Sequence, residues 1–345
     1  MPFLIWIISS NLTYSLLNIE VRGCIFLHPF LFTKYEGKSM NQILIKQELN
    51  TNISKAEFLD DITCMINVLR DCYGMYEYFG EDLFFQAKEN LKNYLESNPF
   101  HFDDALTFFK KELTFIKDGH FYIDKPKTYE EAYDYAIKYG EFEGIPLIDC
   151  KKFYYNTEEE KAQLNEFASH AEYYKNDKPL IIDLRDNAGG NTTYIYDFLC
   201  NLMGCEVGYS LKAILKYSPL FLEYLKLKNI EVEYEKEVEI IEETYAPTPN
   251  KKTIFVLFNE FSSSAAEEGI AYLKNIENVT TVGTHTSGCT SCGNCMRIYL
   301  PNSHLEVYFG TGFVLFDGKN IDAEGGFKAD ISYEEFLNII TSIYN

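Results

Sequence analysis

The spacing of apolar and polar residues divides the chain into a helical first part and a mixed second part. Residues 54–73 repeat apolar side chains every three or four positions, which is the period of an amphipathic helix. Ser54 and Glu57 form a capping-box pair at its start. The same pattern predicts helices over residues 82–97 and 104–117. We therefore expect a small group of packed helices early in the chain.

Two apolar runs predict buried strands in the second part. Leu180–Leu184 and residues 253–258 carry few polar side chains, which is typical of strands that are covered on both faces. Helical patterns follow at 192–203 and 265–276, and a third strand pattern follows at 279–282. This β-α-β-α-β order predicts an α/β fold with a layered core.

The end of the chain predicts a hairpin and a helix. Residues 297–300 and 305–309 read as two strands joined at a Pro-Asn turn. Residues 333–344 read as a helix, with Ser332 and Glu335 as its capping pair.

These patterns suggest a division of the chain. Residues 1–39 form an uncertain extension, residues 40–117 a helical region, and residues 118–345 an α/β domain. Residues 205–250 are longer than the ~2–6 residues of a usual connection, so we expect an insertion or a lid there.

Charge excludes one class of partner. The 345 residues carry a formal net charge of −21, which repels nucleic-acid backbones. Part of this charge lies in residues 231–243, which we interpret as a solvated strand or helix face.

The first residues leave the cellular location open. MPFLIWII is apolar but shorter than the ~20 residues that span a bilayer, and it lacks the basic start of a secretory signal. Membrane attachment or export through residues 1–32 remains an alternative to a cytoplasmic location, which the cysteine usage favours.

The nine cysteines include a C-x2-C-x2-C run formed by Cys289, Cys292 and Cys295. Such a run resembles zinc and iron–sulfur sites, but a fourth ligand is missing nearby unless Cys205 or His285 supplies it. We favour ordinary thiols or a local disulfide over a metal, and we expect no cofactor.

Three polar segments carry the candidate chemistry. The strand at 180 ends in a glycine-rich turn, Asp183–Gly190, whose backbone N–H groups can approach a ligand. The strand at 253 runs into the serine cluster of Asn259–Glu267, where a hydroxyl would lie at the start of a helix. His120 lies between a helix and a strand, where it can serve as a general base.

Together these segments resemble the tail-specific (C-terminal processing) protease family. The resemblance covers residues 118–330 and implies a domain of the ClpP/crotonase-like type that cleaves peptides or proteins. The matching motifs, in order, are Asp118-Gly-His120, DLRDNAGG at 183–190, SSSAAE at 262–267, VGTHTSG at 282–288, LPNS at 300–303 and GFKAD at 326–330.

The family pattern is carried over residue by residue. Its nucleophile lies three residues before a glutamate, and counting back from Glu267 gives Ser264. Its oxyanion donors correspond to the backbone of Gly189 and Gly190 and to the N–H of Ala265.

The chain departs from the Ser-Lys branch of that family. The lysine expected after TxG is replaced by Cys289, which favours a tricorn-like arrangement with His120 as the base. The serine that precedes this histidine in the tricorn-like branch is Gly119 here. Asp322 and Glu324 are the candidate acidic partners.

Several alternatives stay open. His285 is a weaker candidate base. The stretch between His120 and Asp183 is short for the PDZ domain that related proteases carry, so we expect none. The leading hypothesis is a serine-type peptidase with a peptide or protein substrate. The second is an inactive relative that binds peptides or apolar ligands, and the third is a metal–thiolate interaction protein. The oligomeric state is left open.

Overall fold

A computed structural model describes residues 43–126, 132–230, 232 and 236–344. The predicted extension at residues 1–39 lies outside this described part. No helix within it is both long enough and apolar enough to cross a membrane.

Between residues 45 and 117, the described chain forms two long helices, one shorter helix and one single turn. Each predicted helix is present, and the third ends earlier than the sequence pattern suggests. Their bounds are α1 Lys55–Cys72, α2 Tyr76–Phe79, α3 Glu81–Ser97 and α4 Phe102–Glu112. Ser54 and Glu57 form the predicted capping box at the start of α1.

The rest of the described chain alternates strands and helices. In chain order the elements are β1 Tyr122–Asp124, β2 Ile137–Phe142, β3 Ile145–Cys150, α5 Glu158–His170, β4 Leu180–Asp183, α6 Thr193–Met203, β5 Leu211–Lys216, α7 Pro219–Leu227, β6 Val238–Glu243, β7 Ile254–Phe258, α8 Ala265–Lys274, β8 Val279–Gly283, β9 Cys292–Tyr299, β10 Glu306–Phe316, α9 Ile321–Glu324 and α10 Tyr333–Tyr344. A short 3₁₀ helix, Ala171–Tyr174, follows α5.

These strands form two sheets. One has the order β2-β3-β4-β7-β8, and its strands from β3 to β8 run parallel. The other is antiparallel, with the order β1-β10-β5-β6 and with β9 on the free side of β10. The α/β fold predicted from the sequence is confirmed, together with the helical region before it.

Burial explains the apolar runs of β4 and β7. Alternate residues of each strand enter two different cores, since successive side chains point to opposite faces. Leu180 and Ile182 pack with α6 and α8, whereas Ile181 packs with α10. A strand covered on both sides cannot show a polar alternation, and this is why the sequence pattern was continuous.

The helices of the first region pack on the antiparallel sheet. Side chains of α1, α3 and α4 share one apolar core with β9 and β10. The connection is close at Gly74, whose N–H donates to the Gly310 carbonyl of β10 at 3.0 Å. The strands β5 and β6, which lie between residues 205 and 250, also belong to this sheet, because they pair with each other and β5 pairs with β10.

Candidate active site

The turn after β4 forms a corner of buried backbone. Asn187 is fully buried and shapes it: Nδ2 donates to the Cys150 carbonyl at 2.9 Å, and Oδ1 accepts from the Gly189 N–H at 2.8 Å. Gly189 has φ +84°, where a side chain would be strained. A Cβ atom there would lie 2.7 Å from Cβ of Ser264. Only glycine therefore fits between this corner and the serine.

Ser264 follows the neighbouring parallel strand, β7, and precedes the first residue of α8. Its backbone has φ +55° and ψ −119°, which is unusual for a residue with a side chain and costs ~1–3 kcal/mol. Such strain persists only where the surroundings enforce it. The serine hydroxyl thus lies at the amino end of a helix, where the helix dipole favours negative charge.

Glu267 is the group that fixes this backbone. Its buried carboxylate accepts from the Ser264 N–H at 3.1 Å and from the N–H groups of Gly288 and Cys289 at 2.9 and 2.8 Å. The Thr286 hydroxyl donates to the same carboxylate. One side chain therefore joins the serine to the loop that follows β8.

His120 lies against the serine although the two residues are far apart in the chain. The reason is that β1, which follows the histidine, pairs with β10 and brings His120 to this edge. Its Nε2 is 3.2 Å from Oγ of Ser264. The imidazole is tilted over Tyr308 of β10, with 6.4 Å between ring centroids. Burial lowers the pKa of His120 to about 4, and the Cys292 main chain opposes part of this shift. At neutral pH the ring is uncharged and able to accept a proton.

Asp118 positions the histidine through the main chain. Its Oδ1 accepts from the His120 N–H at 2.8 Å, and its Oδ2 accepts from the Tyr73 hydroxyl at 2.8 Å. Tyr73 follows α1 directly and is fully buried. Burial, and then the nearby charge of Asp322, raise the pKa of Asp118 to about 7. The helical region thereby contacts the site through one hydroxyl group.

The two acidic candidates lie in different surroundings. Asp322 is in α9, and its Oδ1 accepts from the N–H groups of Thr290 and Ser291, each at 2.8 Å. Its pKa is raised to about 6 by burial, against which the hydrogen bonds act. Glu324, two residues on, is exposed to solvent.

One buried side-chain atom of Asp322 and one of His120 are not used in a hydrogen bond. Oδ2 of Asp322 and Nδ1 of His120 are buried, and neither makes a hydrogen bond to another residue in the described ranges. Buried polar atoms without partners are rare in native proteins. Each of these two atoms is therefore open to a further polar partner.

The three predicted oxyanion donors differ in their present partners. The Gly189 N–H already donates to Asn187. The N–H of Ala265 lies 3.1 Å from where a Cβ of Gly189 would be, so the glycine corner and the start of α8 face each other closely. Gly190 continues the corner and pairs with Phe153 in an isolated bridge.

The loop after β8 leaves no room for a side chain at position 119. A Cβ on Gly119 would lie 2.6 Å from Cβ of Cys289, the residue at the position of the family lysine. Cys289, Cys292 and Cys295 form no disulfide. Within the described ranges no group of three or more His, Cys, Asp or Glu side chains is arranged to hold a metal ion. His285 is exposed, and its Nδ1 contacts the Thr286 carbonyl at 2.8 Å.

Comparison with known families now places the chain. The sequence pattern of peptidase family S41 matches residues 144–333, which is more than half of the chain. The chain belongs to peptidase family S41, and the tail-specific protease resemblance is confirmed. A comparison with curated proteins finds no match.

Solved structures of low sequence identity align with most of this chain. A candidate peptidase from Parabacteroides merdae aligns over 85% of this chain and 96% of its own, with 17% identity and a TM-score of 0.51. A lipoprotein from Streptococcus agalactiae aligns over 85% and 99%, with 15% identity and a TM-score of 0.46. The photosystem II D1 C-terminal processing protease aligns over 82% and 94%, with 11% identity and a TM-score of 0.45.

Two residues at the site were not identified from the sequence. Tyr73 gave no signal, because it meets the site through contacts between positions far apart in the chain. In the sequence, Glu267 was only the motif residue from which Ser264 was located. Its hydrogen bonds to the loop after β8 could not be predicted, because the position of that loop depends on the fold.

Proposed function

We propose that the chain is a serine-type peptidase in which Ser264 attacks the carbonyl carbon of a peptide bond. The observation that carries this proposal is the 3.2 Å contact between Nε2 of His120 and Oγ of Ser264. Membership of a peptidase family supports a peptide or protein as the substrate. The catalytic part would comprise residues 118–345, with residues 40–117 supporting His120 through Tyr73.

The proposed reaction has two stages. His120 takes the hydroxyl proton as Oγ bonds to the carbonyl carbon, and the N–H groups of Ala265 and Gly190 stabilise the resulting oxyanion. His120 then gives its proton to the leaving amine as the peptide C–N bond breaks. Water, activated by the same imidazole, hydrolyses the acyl-enzyme and restores Ser264. Each oxyanion donor contributes ~3–4 kcal/mol of barrier lowering.

The proposal gives Asp322 the role of orienting His120. Its unused Oδ2 can accept from the unused Nδ1 once a substrate or a water molecule adjusts the loop. Catalytic hydrogen bonds are often long or poorly aligned in structures without substrate. The unformed bond between Oδ2 of Asp322 and Nδ1 of His120 is therefore compatible with catalysis. The exposed side chain of Glu324 makes it the weaker of the two acids.

A second candidate is a relative that binds peptides without cleaving them. The observation in its favour is the absence of a hydrogen bond at Nδ1 of His120 in the described structure. Without an acid at that atom the imidazolium formed during attack is poorly stabilised.

Labelling by a fluorophosphonate probe separates the two candidates. We expect the wild-type protein to be labelled and to cleave unfolded casein, and we expect Ser264→Ala to lose both properties. Ser263→Ala is the matched control, because it removes a neighbouring hydroxyl and should keep both. Labelling that persists in Ser264→Ala would contradict the proposal, and an unlabelled, inactive wild type would favour the binding protein.

A further inference from the structure

A row of side chains crosses the antiparallel sheet next to the catalytic histidine. Tyr122 of β1 lies opposite Tyr308 of β10, and Tyr308 lies opposite Arg297 of β9. Residues opposite each other in antiparallel strands project from the same face. His120 precedes Tyr122 by two positions and contacts Tyr308, so it belongs to that face as well. The row therefore continues the surface on which the serine and the histidine meet.

Arg297 is held in this row by two kinds of contact. Its guanidinium carbon lies 5.3 Å from the ring centroid of Tyr308, which is the range of a cation–π interaction. Its Nε is 3.2 Å from Oε1 of Glu306, and that carboxylate also accepts from the Tyr122 hydroxyl. Tyr122 and Tyr308 stack with 5.5 Å between their centroids. The arginine is thus restrained before any ligand arrives.

The exposure of this ion pair is uneven. The Glu306 side chain is 4% exposed, whereas the Arg297 side chain is 42% exposed. Nε is buried, so the exposed fraction lies elsewhere on the side chain. The terminal nitrogens of a guanidinium carry N–H groups in the fork geometry that matches a carboxylate.

The spacing between Arg297 and the reacting groups determines which residue of a bound peptide can contact the arginine. The row is two residues from His120 along the strand and two strand spacings across, which gives about 12 Å between the Cα atoms of Arg297 and His120. An extended peptide advances ~3.3 Å per residue, so a group held at Arg297 belongs to a residue ~2–4 positions from the scissile bond.

We propose that Arg297, presented by Tyr308 and Glu306, is a subsite for a carboxylate of the peptide substrate. This inference rests on the proposed function and names its substrate preference. The overall charge of −21 repels acidic peptides, so a restrained cation beside the reacting groups makes one acidic position selectively favourable. The carboxylate belongs either to an acidic side chain or to the free carboxyl end of the peptide.

The test compares peptides that differ in one charge. A peptide taken from a wild-type digest of unfolded casein is resynthesised with Glu or Gln at each position around the scissile bond, and with a free or an amidated carboxyl end. We expect the wild type to prefer one charged form by about tenfold in kcat/KM, mostly through KM. Preference for an internal Glu identifies a side-chain subsite, and preference for the free end identifies a terminal one.

Two variants assign the preference. Arg297→Gln should abolish it while turnover of the uncharged peptide stays within about twofold, and Arg297→Lys should keep a part of it. Arg70→Gln is the matched control, since the Arg70 side chain is 41% exposed and also lies beside a carboxylate, Asp71. A wild type without any charge preference, or an Arg297→Gln variant that retains it, would overturn the subsite.

Failure of the proposed function would be seen separately. If the wild type is neither labelled by fluorophosphonate nor able to cleave casein, fluorescence anisotropy measures binding of Glu and Gln versions of a casein peptide. Binding of the Glu version that weakens at least about fivefold in Arg297→Gln would support the subsite. Equal binding to both proteins would overturn it.

Discussion

The hydroxyl group of Tyr73 offers a sharp test of how the helical region supports the site. Replacing Tyr73 by phenylalanine removes one oxygen atom from a fully buried position and leaves the ring in place. The lost bond is the 2.8 Å contact to Oδ2 of Asp118, whose other oxygen holds the His120 N–H. The expected effect depends on the charge of Asp118.

The magnitude follows from that charge. Folding raises the pKa of Asp118 from 3.8 to about 7, so its contribution to stability is full below 3.8 and is lost as the pH rises through about 7. Above that pH the hydroxyl donates to a charged acceptor, a bond worth ~1.5–3 kcal/mol, and below it to a neutral one worth ~0.5–1.5 kcal/mol. Tyr73→Phe should therefore destabilise the fold by about 1 kcal/mol more at high pH, which corresponds to raising the pKa of Asp118 by about one further unit.

Urea unfolding followed by near-ultraviolet circular dichroism measures this difference. Wild type and Tyr73→Phe are compared at about pH 5.5 and about pH 8.5, and unchanged m-values show that the same structure unfolds. Tyr173→Phe is the control, because Tyr173 is 74% exposed and should change the unfolding free energy by less than ~0.5 kcal/mol at either pH. An equal or smaller loss for Tyr73→Phe at the higher pH would refute the reasoning.

Three further predictions concern the reacting groups. Gly189→Ala places a methyl group 2.7 Å from Cβ of Ser264 and should lower the rate of fluorophosphonate labelling at least ~100-fold, which intact labelling would contradict. Asp322→Asn should lower kcat by ~10²–10⁴-fold, whereas Glu324→Gln should leave it within about twofold, and the reverse order would exchange their roles. The wild-type labelling rate should rise with pH and level off above about 7, because His120 with a pKa of about 4 and Asp322 with a pKa of about 6 must both lose their protons. A rate that falls between pH 6 and 8 would exclude this pair.

Local signals made much of the fold predictable. The capping pairs Ser54–Glu57 and Ser332–Glu335 both form as the sequence indicates. The continuous apolar runs of β4 and β7 identified strands that are covered on both faces. Such features depend on neighbours in the chain, so the sequence alone carries them.

The sheet pairing of β5 and β6 was not predictable in the same way. β6 has an exposed, alternating pattern with many glutamates, and on its own it resembles a solvated surface segment. Its place is fixed by pairing with β5, which in turn pairs with β10 about 100 positions later in the chain. Nonlocal register of this kind leaves little trace in composition or period.

The site shows the same limit. Ser264 and His120 were named as partners from motifs, and the structure places them in contact. The assignment of roles to Asp322, Gly189, Gly190 and Ala265 remains a prediction. The support of His120 by Asp118 and Tyr73 depends on the packing of α1 against β10, which no motif records.

The dependence of His120 on β1 has a practical consequence for dissecting this protein. Residues 144–333, which match the family pattern, contain the serine, the glycine corner and α9, but they lack both the imidazole and the strand that delivers it. A fragment trimmed to that match would carry the proposed nucleophile, Ser264, without the proposed base, His120. Laboratory searches for a minimal active enzyme should therefore start upstream of α1 and retain the helices.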